Sequence, residues 1–191
     1  MMGTVMVEYN RKPMPLMGNP QGKMLQLFLI LLYAGDKGVL REELLDMLYG
    51  NGENTNPSGS LRAAVFRLRK TLEGCGLPEH EYIRTDSGIY RWDGGGVPVY
   101  IDAKDFEITA HKALKQRDES LLKKACGLYQ GEFMAQLAGE KWVSIIGVRY
   151  QELYFDCLRM AYYIMKDNRE YTDLLELASD ACDLYPYEEC Q

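Results

Sequence analysis

Apolar residues in the first hundred positions fall into three helical stretches separated by polar turns. Residues 22–34 are apolar almost all round (Met24, Leu25, Leu27, Phe28, Leu29, Ile30, Leu31, Leu32), which predicts a helix buried on most of its surface. Gly35, Asp36, Lys37 and Gly38 end it, and Val39-Leu40 is short and β-favouring enough to join a small sheet. Residues 41–48 place Leu44, Leu45 and Leu48 on one side of a second helix, and the Gly- and Asn-rich stretch 49–57 then reads as a loop. In the third helix, residues 58–72, Leu61, Val65, Leu68 and Leu72 form one apolar stripe at about 100° per residue. Ser58 or Ser60 is the expected cap, and Gly74 and Gly76 stop the helix. The alternation in residues 4–9, the turn residues 10–13 and the return through Met14 to Met17 predict a small N-terminal sheet. Residues 83–92 have β-favouring arms around a polar turn ending in Gly88, a hairpin signature.

Beyond residue 101 the pattern becomes wholly helical. Phe106, Ala110, Ala113 and Leu114 mark one amphipathic helix, and Leu121, Leu122, Ala125, Leu128 and Tyr129 the next. A longer helix is predicted over residues 141–166 and another over 171–184, ending before Pro186, which has no N–H to continue it. Ala161, Tyr162, Tyr171, Leu174, Leu175, Ala178, Ala181 and Pro186 have the small-and-large spacing of one tetratricopeptide-type repeat. Arrays of that kind stack several repeats, so the chain reads as part of a longer protein.

The fold class expected is therefore mainly α with a small β component, an N-terminal winged helix followed by tetratricopeptide-like helical repeats. The expected domains are 1–97, a winged helix-turn-helix DNA-binding domain, and 98–191, a helical domain. Composition agrees with an ordinary globular protein: 47% of the 191 residues are hydrophobic and 26% charged. The longest apolar run, residues 27–34, is far shorter than the roughly 18–20 residues that span a bilayer. No basic start, apolar stretch and cleavage site open the chain, so the expected location is cytoplasmic, with no membrane partner. The five cysteines have no close-spaced pair and read as reduced packing residues, not as a metal site.

Charge alters this picture in one place. The net charge of −6 argues against non-specific coating of nucleic acid. Residues 1–100 carry 11 basic and 11 acidic side chains, whereas residues 101–191 carry 11 and 17, so the acidity belongs to the second half. Within the neutral half, the third helix gathers Arg62, Arg67, Arg69 and Lys70 with no acid from Ser58 to Leu72. Arg62, Ala63, Phe66, Arg67 and Lys70 fall opposite the apolar stripe, where a small residue admits a close backbone and cations meet phosphates or guanine edges. Arg69 sits near the edge of the stripe. A solvated basic face, paired with acids elsewhere, produces the same pattern, and context must decide between them. The order of sheet, three helices and hairpin supplies that context: it is the winged-helix plan, in which the third helix enters the major groove and the hairpin reaches neighbouring backbone.

Arg41-Glu42-Glu43-Leu44-Leu45-Asp46-Met47-Leu48-Tyr49-Gly50, then Leu61-Arg62-Ala63-Ala64-Val65-Phe66-Arg67-Leu68-Arg69-Lys70, then Ile83-Arg84-Thr85 to Gly88-Ile89-Tyr90 resemble the Streptomyces antibiotic regulatory protein family. Residues 102–137, with Tyr129-Gln130-Gly131-Glu132-Phe133 and the later Trp142, look like that family's bacterial transcriptional activator domain of tetratricopeptide-like helices. The resemblance implies an OmpR-type winged helix that binds direct-repeat promoter DNA, helps recruit RNA polymerase, and pairs as a homodimer on tandem sites. It implies DNA-binding roles for Ser58, Arg62, Ala63, Phe66, Arg67, Arg69, Lys70, Thr85 and Ser87. Of these, Arg62, Ala63, Phe66 and Arg67 are expected near base edges, and Lys70, Thr85 and Ser87 near phosphates. Arg69 is expected either on DNA or on a carboxylate within the domain. The loop 51–56 corresponds to one that touches polymerase in such proteins, or is a solvated connector.

Two other function classes are weighed against this one. An enzyme would need a catalytic constellation, but His80 and His111 lack a nucleophile motif and the acids are dispersed along helix faces. Gly94-Gly95-Gly96 has no following lysine motif or helix start, so it reads as a turn rather than a phosphate cradle. No catalytic residue, metal or cofactor is expected. The remaining alternative is a helical-repeat protein-binding scaffold whose winged helix does not bind DNA. Tyr150, Tyr154, Tyr162, Tyr163 and Tyr171 could then line a groove, although helical spacing of aromatics also serves core packing.

Overall fold

The computed structural model describes residues 1–14, 19, 21–50, 52 and 54–186. Residues 15–18 of the expected return, and residues 51 and 53 of the loop 51–56, lie outside the described residues. The chain is mainly helical with a small β component and divides into two compact units, Met6–Tyr100 and Met1–Val5 with Ile101–Gln191. Among the described residues no helix is long and apolar enough to cross a membrane.

In the first unit, β1 (Glu8–Tyr9) pairs antiparallel with β2 (Lys12–Pro13), and α1 (Lys23–Ala34), β3 (Val39–Leu40), α2 (Arg41–Tyr49) and α3 (Pro57–Glu73) follow. The hairpin of β4 (Ile83–Asp86) and β5 (Ile89–Trp92) completes it. A three-stranded antiparallel sheet has the order β3-β5-β4, with Val39 opposite Tyr90 and Ile83 opposite Trp92. As its all-round apolar pattern demands, α1 is the centre: the run from Leu25 to Leu32 is buried without interruption. Phe28 meets the edge of Trp92 with ring centroids 5.4 Å apart, and Trp92 stacks on Tyr82 at 5.1 Å. Large rings of this kind bury much apolar area at once and add a geometric preference of their own. The β-arm of the sheet is thereby fastened to the helical core.

Two backbone positions shape the sheet. Gly38 has φ +67, and a Cβ there would lie 2.4 Å from Arg91 Cγ and 2.7 Å from the Tyr90 carbonyl oxygen. Only glycine lets the chain pass that close to β5. At the hairpin tip Ser87 (φ 50) and Gly88 (φ 80) are both left-handed, which gives the two-residue connection whose twist suits adjoining strands.

The second unit contains α4 (Asp102–Gln116), α5 (Glu119–Leu128), α6 (Lys141–Asn168) and α7 (Tyr171–Leu184). Phe106, Tyr129, Phe133, Tyr150 and Tyr154 are buried together, with Tyr129 stacked on Tyr154 at 4.3 Å. Tyr150 and Tyr154 are thus core residues, whereas Tyr162, Tyr163 and Tyr171 are exposed.

The N-terminal residues depart from expectation. Instead of one strand over 4–9, only Glu8–Tyr9 is extended in a sheet, and Met1–Val5 packs with the later helices. The Met1 ammonium lies 2.7 Å from both carboxylate oxygens of Asp102, Met2 bridges to Phe133, and the Val5 N–H donates to Gln136 Oε1. Met1, Met2 and Val5 are buried there. Local alternation cannot register this, because the stabilising partners stand about a hundred residues away. The second boundary falls after Tyr100 rather than after residue 97.

Candidate nucleic-acid interface

The helix α3 presents two chemically opposite faces. Leu61, Ala64, Val65, Leu68 and Leu72 are buried, while Arg62, Phe66, Arg67 and Lys70 are exposed. Arg62, Phe66 and Lys70 recur every four residues and make one outward ridge, with Arg67 beside it. Phe66 is 68% exposed, an unusual setting for a large aromatic within an otherwise regular amphipathic helix. No acidic side chain among the described residues pairs with Arg62, Arg67 or Lys70. Ala63 is half-buried, leaving the backbone next to this ridge unshielded by a long side chain. Arg67 also lies close to Tyr49 at the end of α2. Burial raises that phenol above its ordinary pKa, and the neighbouring guanidinium works against the rise.

The start of α3 differs in detail from the expected cap. Asn56 performs that task, its side-chain oxygen accepting from the Gly59 N–H at 3.0 Å, and Pro57 occupies the first helical turn where its missing donor is harmless. Ser60 instead accepts from Asn54 Nδ2 at 2.9 Å, and Ser58 is half-buried within the first turn.

Arg69 is set apart from the other cations. Its Nη2 donates to the Ile83 carbonyl at 2.7 Å and lies 3.2 Å from Glu81 Oε1. Its Nε is buried without a partner. Of the two roles expected for it, the geometry supports the internal one: the guanidinium joins α3 to the root of the hairpin and is not a free cation on the outward ridge.

Thr85 and Ser87 are both exposed near the hairpin tip. The Ser87 hydroxyl donates to Asp86 Oδ1 at 3.1 Å, which places a carboxylate beside the group expected to meet phosphate. The Arg41 N–H donates to the Gly88 carbonyl at 2.8 Å, holding the tip against the start of α2.

Two cations on the hairpin were not among the expected site residues. Arg84 and Arg91 are direct cross-strand partners and therefore share one face of the hairpin. The period-2 pattern of residues 83–92 carried that signal, but their facing register needs the exact turn length. Like charges directly opposite each other are unfavourable, and Asp93 relieves the pair by accepting from Arg84 Nε at 2.8 Å. The same carboxylate accepts from the Gly95 N–H at 3.0 Å and lies 3.0 Å from His80 Nε2. These donors, the Gly95 N–H foremost, hold the Asp93 carboxyl below its ordinary pKa. The glycine run therefore serves as a turn that wraps a carboxylate.

Neither a protein-family model nor a curated protein sequence matches the chain. Among solved structures, the chain is similar to Mycobacterium tuberculosis EmbR in complex with low affinity phosphopeptide. The TM-score is 0.75 at 15% identity over 98% of this chain. The two share a fold. The match covers 50% of the EmbR chain, so this sequence spans half the length of that protein.

Proposed function

We propose that the protein is a sequence-specific DNA-binding transcriptional regulator. Met6–Tyr100 is its winged helix: α2 and α3 form the helix-turn-helix, and β4 and β5 form the wing. The outward ridge of α3, with Arg62, Phe66, Arg67 and Lys70 exposed and unpaired by acids among the described residues, carries this reading. In the major groove, Arg62 and Arg67 would read guanine edges, Phe66 would cover a thymine methyl and Lys70 would neutralise phosphate. Thr85 and Ser87, with Arg84 and Arg91 behind them, would follow the neighbouring backbone. The fold shared with EmbR and the resemblance to the Streptomyces antibiotic regulatory proteins support an activator. Its residues 98–191 would be tetratricopeptide-like, and it would bind promoter repeats as a homodimer and contact RNA polymerase.

Selection of binding sites from genomic DNA, followed by titration of a selected fragment, tests the proposal. Log affinity should fall linearly with log salt at about −0.9 per phosphate neutralised. Failure to enrich any sequence, or an affinity indifferent to salt, would favour the protein-binding scaffold.

A further inference from the structure

Helix α7 carries more apolar surface than its own unit covers. Of its 14 residues only Ala181 is buried. On a wheel of about 100° per residue, Leu174, Leu177, Ala181 and Leu184 form the inward row, each buried or half-buried. A second apolar row runs beside it: Tyr171, Leu175, Ala178 and Cys182, every one exposed. Tyr171 is 58% and Leu175 72% exposed. Single exposed apolar side chains are ordinary, but a contiguous row of them along one helix marks a surface that another molecule covers.

The spacing of this row is specific. Its intervals of four, three and four residues are those of a coiled-coil seam, the pattern that keeps one stripe against a partner helix. Tyr185, next in that register, turns instead onto Phe155, with ring centroids 5.3 Å apart, so the open seam ends at Cys182. Charge selects the occupant. Thr172, Leu174, Ser179 and Ala181 flank the seam and are all uncharged, whereas Asp173, Glu176, Asp180 and Asp183 stand about 150° away around the helix. A charged partner helix therefore finds nothing beside the seam to pair with. Two copies of this chain, although each has a net charge of −6, meet there without opposing acids.

We infer that this row is a self-docking seam, on which α7 of a second copy lies antiparallel across a two-fold axis. Ala178 sits near the axis, where a small side chain lets the helices approach. Leu175 of each copy then lies against Cys182 of the other, large on small at both ends, as an isologous contact requires. The 14 residues of α7 span about 21 Å, so the contact is smaller than the standard interface of about 800 Å² per partner and belongs to the weak, reversible class. Its dissociation constant is on the order of 10–100 μM. Below that range the chain is monomeric and Cys182 stays open to reagents. The inference rests on the homodimer reading above and gives it a surface, but its test needs no DNA, so the failure of either shows separately.

Sedimentation equilibrium of the full chain tests it. A reversible monomer–dimer equilibrium should appear, and Leu175→Glu should weaken it at least about 30-fold, because the two-fold axis counts each lost contact twice. An unchanged melting temperature will show that the variant still folds. Ile145→Glu, which alters an apolar residue 64% exposed on α6, should leave the equilibrium as it is. Raising sodium chloride from about 0.1 to 0.5 M should strengthen association, since the seam is uncharged and the net repulsion of two acidic chains is screened. Leu175→Glu should bind a DNA fragment with a single repeat as tightly as the parent. A strictly monomeric parent chain would mean that something other than a second copy covers the seam, and would overturn the inference. So would a dimer that survives Leu175→Glu, one that Ile145→Glu disrupts equally, or one that salt dissociates.

Discussion

Replacing Arg69 with methionine keeps an unbranched apolar stem but removes the guanidinium that joins α3 to the hairpin. What is lost is a charge-assisted hydrogen bond to the Ile83 carbonyl at 2.7 Å and an ion pair with Glu81 at 3.2 Å. Hydrogen bonds to charged groups contribute about 1.5–3 kcal/mol. The Arg69 side chain is 40% exposed and that of Glu81 63%, so water screens the ion pair and the lower end of that range applies. The expected loss is about 1.5 kcal/mol, or roughly 6–12 °C in the melting of a unit near a hundred residues long. Each unit carries one tryptophan, Trp92 and Trp142 respectively, so urea unfolding followed by fluorescence in a Trp142→Phe background reports the first unit alone. DNA affinity should fall because α3 and the hairpin no longer share a fixed geometry. The slope of log affinity against log salt should stay that of the parent, since no phosphate contact is removed. Lys70→Ala should make the slope shallower by about 0.9. Parental stability combined with a slope shallower by that amount in Arg69→Met would place Arg69 on the DNA and refute the strut.

Other consequences can be measured independently. Arg67→Ala should relax recognition at a single base pair, by roughly 1–3 kcal/mol if the contact is bidentate, whereas Lys70→Ala should weaken all sequences alike; a panel of single-base variants of the selected site separates the two. Burial pushes the thiols of Cys126 and Cys157 up to about 12. Iodoacetamide at pH 8 should therefore modify exposed Cys182 and spare those two until urea unfolds the chain, as peptide mass mapping would show. Because the folded thiols ionise later than unfolded ones, the chain should lose stability as pH rises from about 9 towards 12, and replacing both with alanine should remove that part of the pH dependence. Asp102→Ala removes the carboxylate that holds the Met1 ammonium and the Met2 N–H, so the helical unit should lose about 2 kcal/mol in urea unfolding followed at Trp142 in a Trp92→Phe background.

How much of this was legible in the sequence depends on the range of the interaction concerned. The buried character of α1, the two faces of α3 and the hairpin at 83–92 all follow from periodicities of 3.6 and 2, which a few neighbouring residues suffice to define. The cap on α3 was misplaced by two to four residues because Asn56, Ser58 and Ser60 all carry a side-chain oxygen, and only the backbone turn selects which one meets a free N–H. Arg69 shows the same limit within the candidate site. On a helical wheel it is one more cation beside Arg67 and Lys70, and only the fold brings the Ile83 carbonyl and Glu81 within its reach.

The pattern along the chain by itself determined which faces of the helices are buried and where the turns fall, and it grouped the cations of α3 opposite an apolar stripe. Those properties depend on solvent exclusion and backbone geometry acting over a turn or two. Tertiary structure alone decided that Met1–Val5 belongs with the later helices, that Arg69 braces the hairpin, and that Asp93 gathers Arg84 and His80. Each of these joins groups distant in sequence or turned by an unpredictable register, and the energy that selects them exists only once the chain has closed.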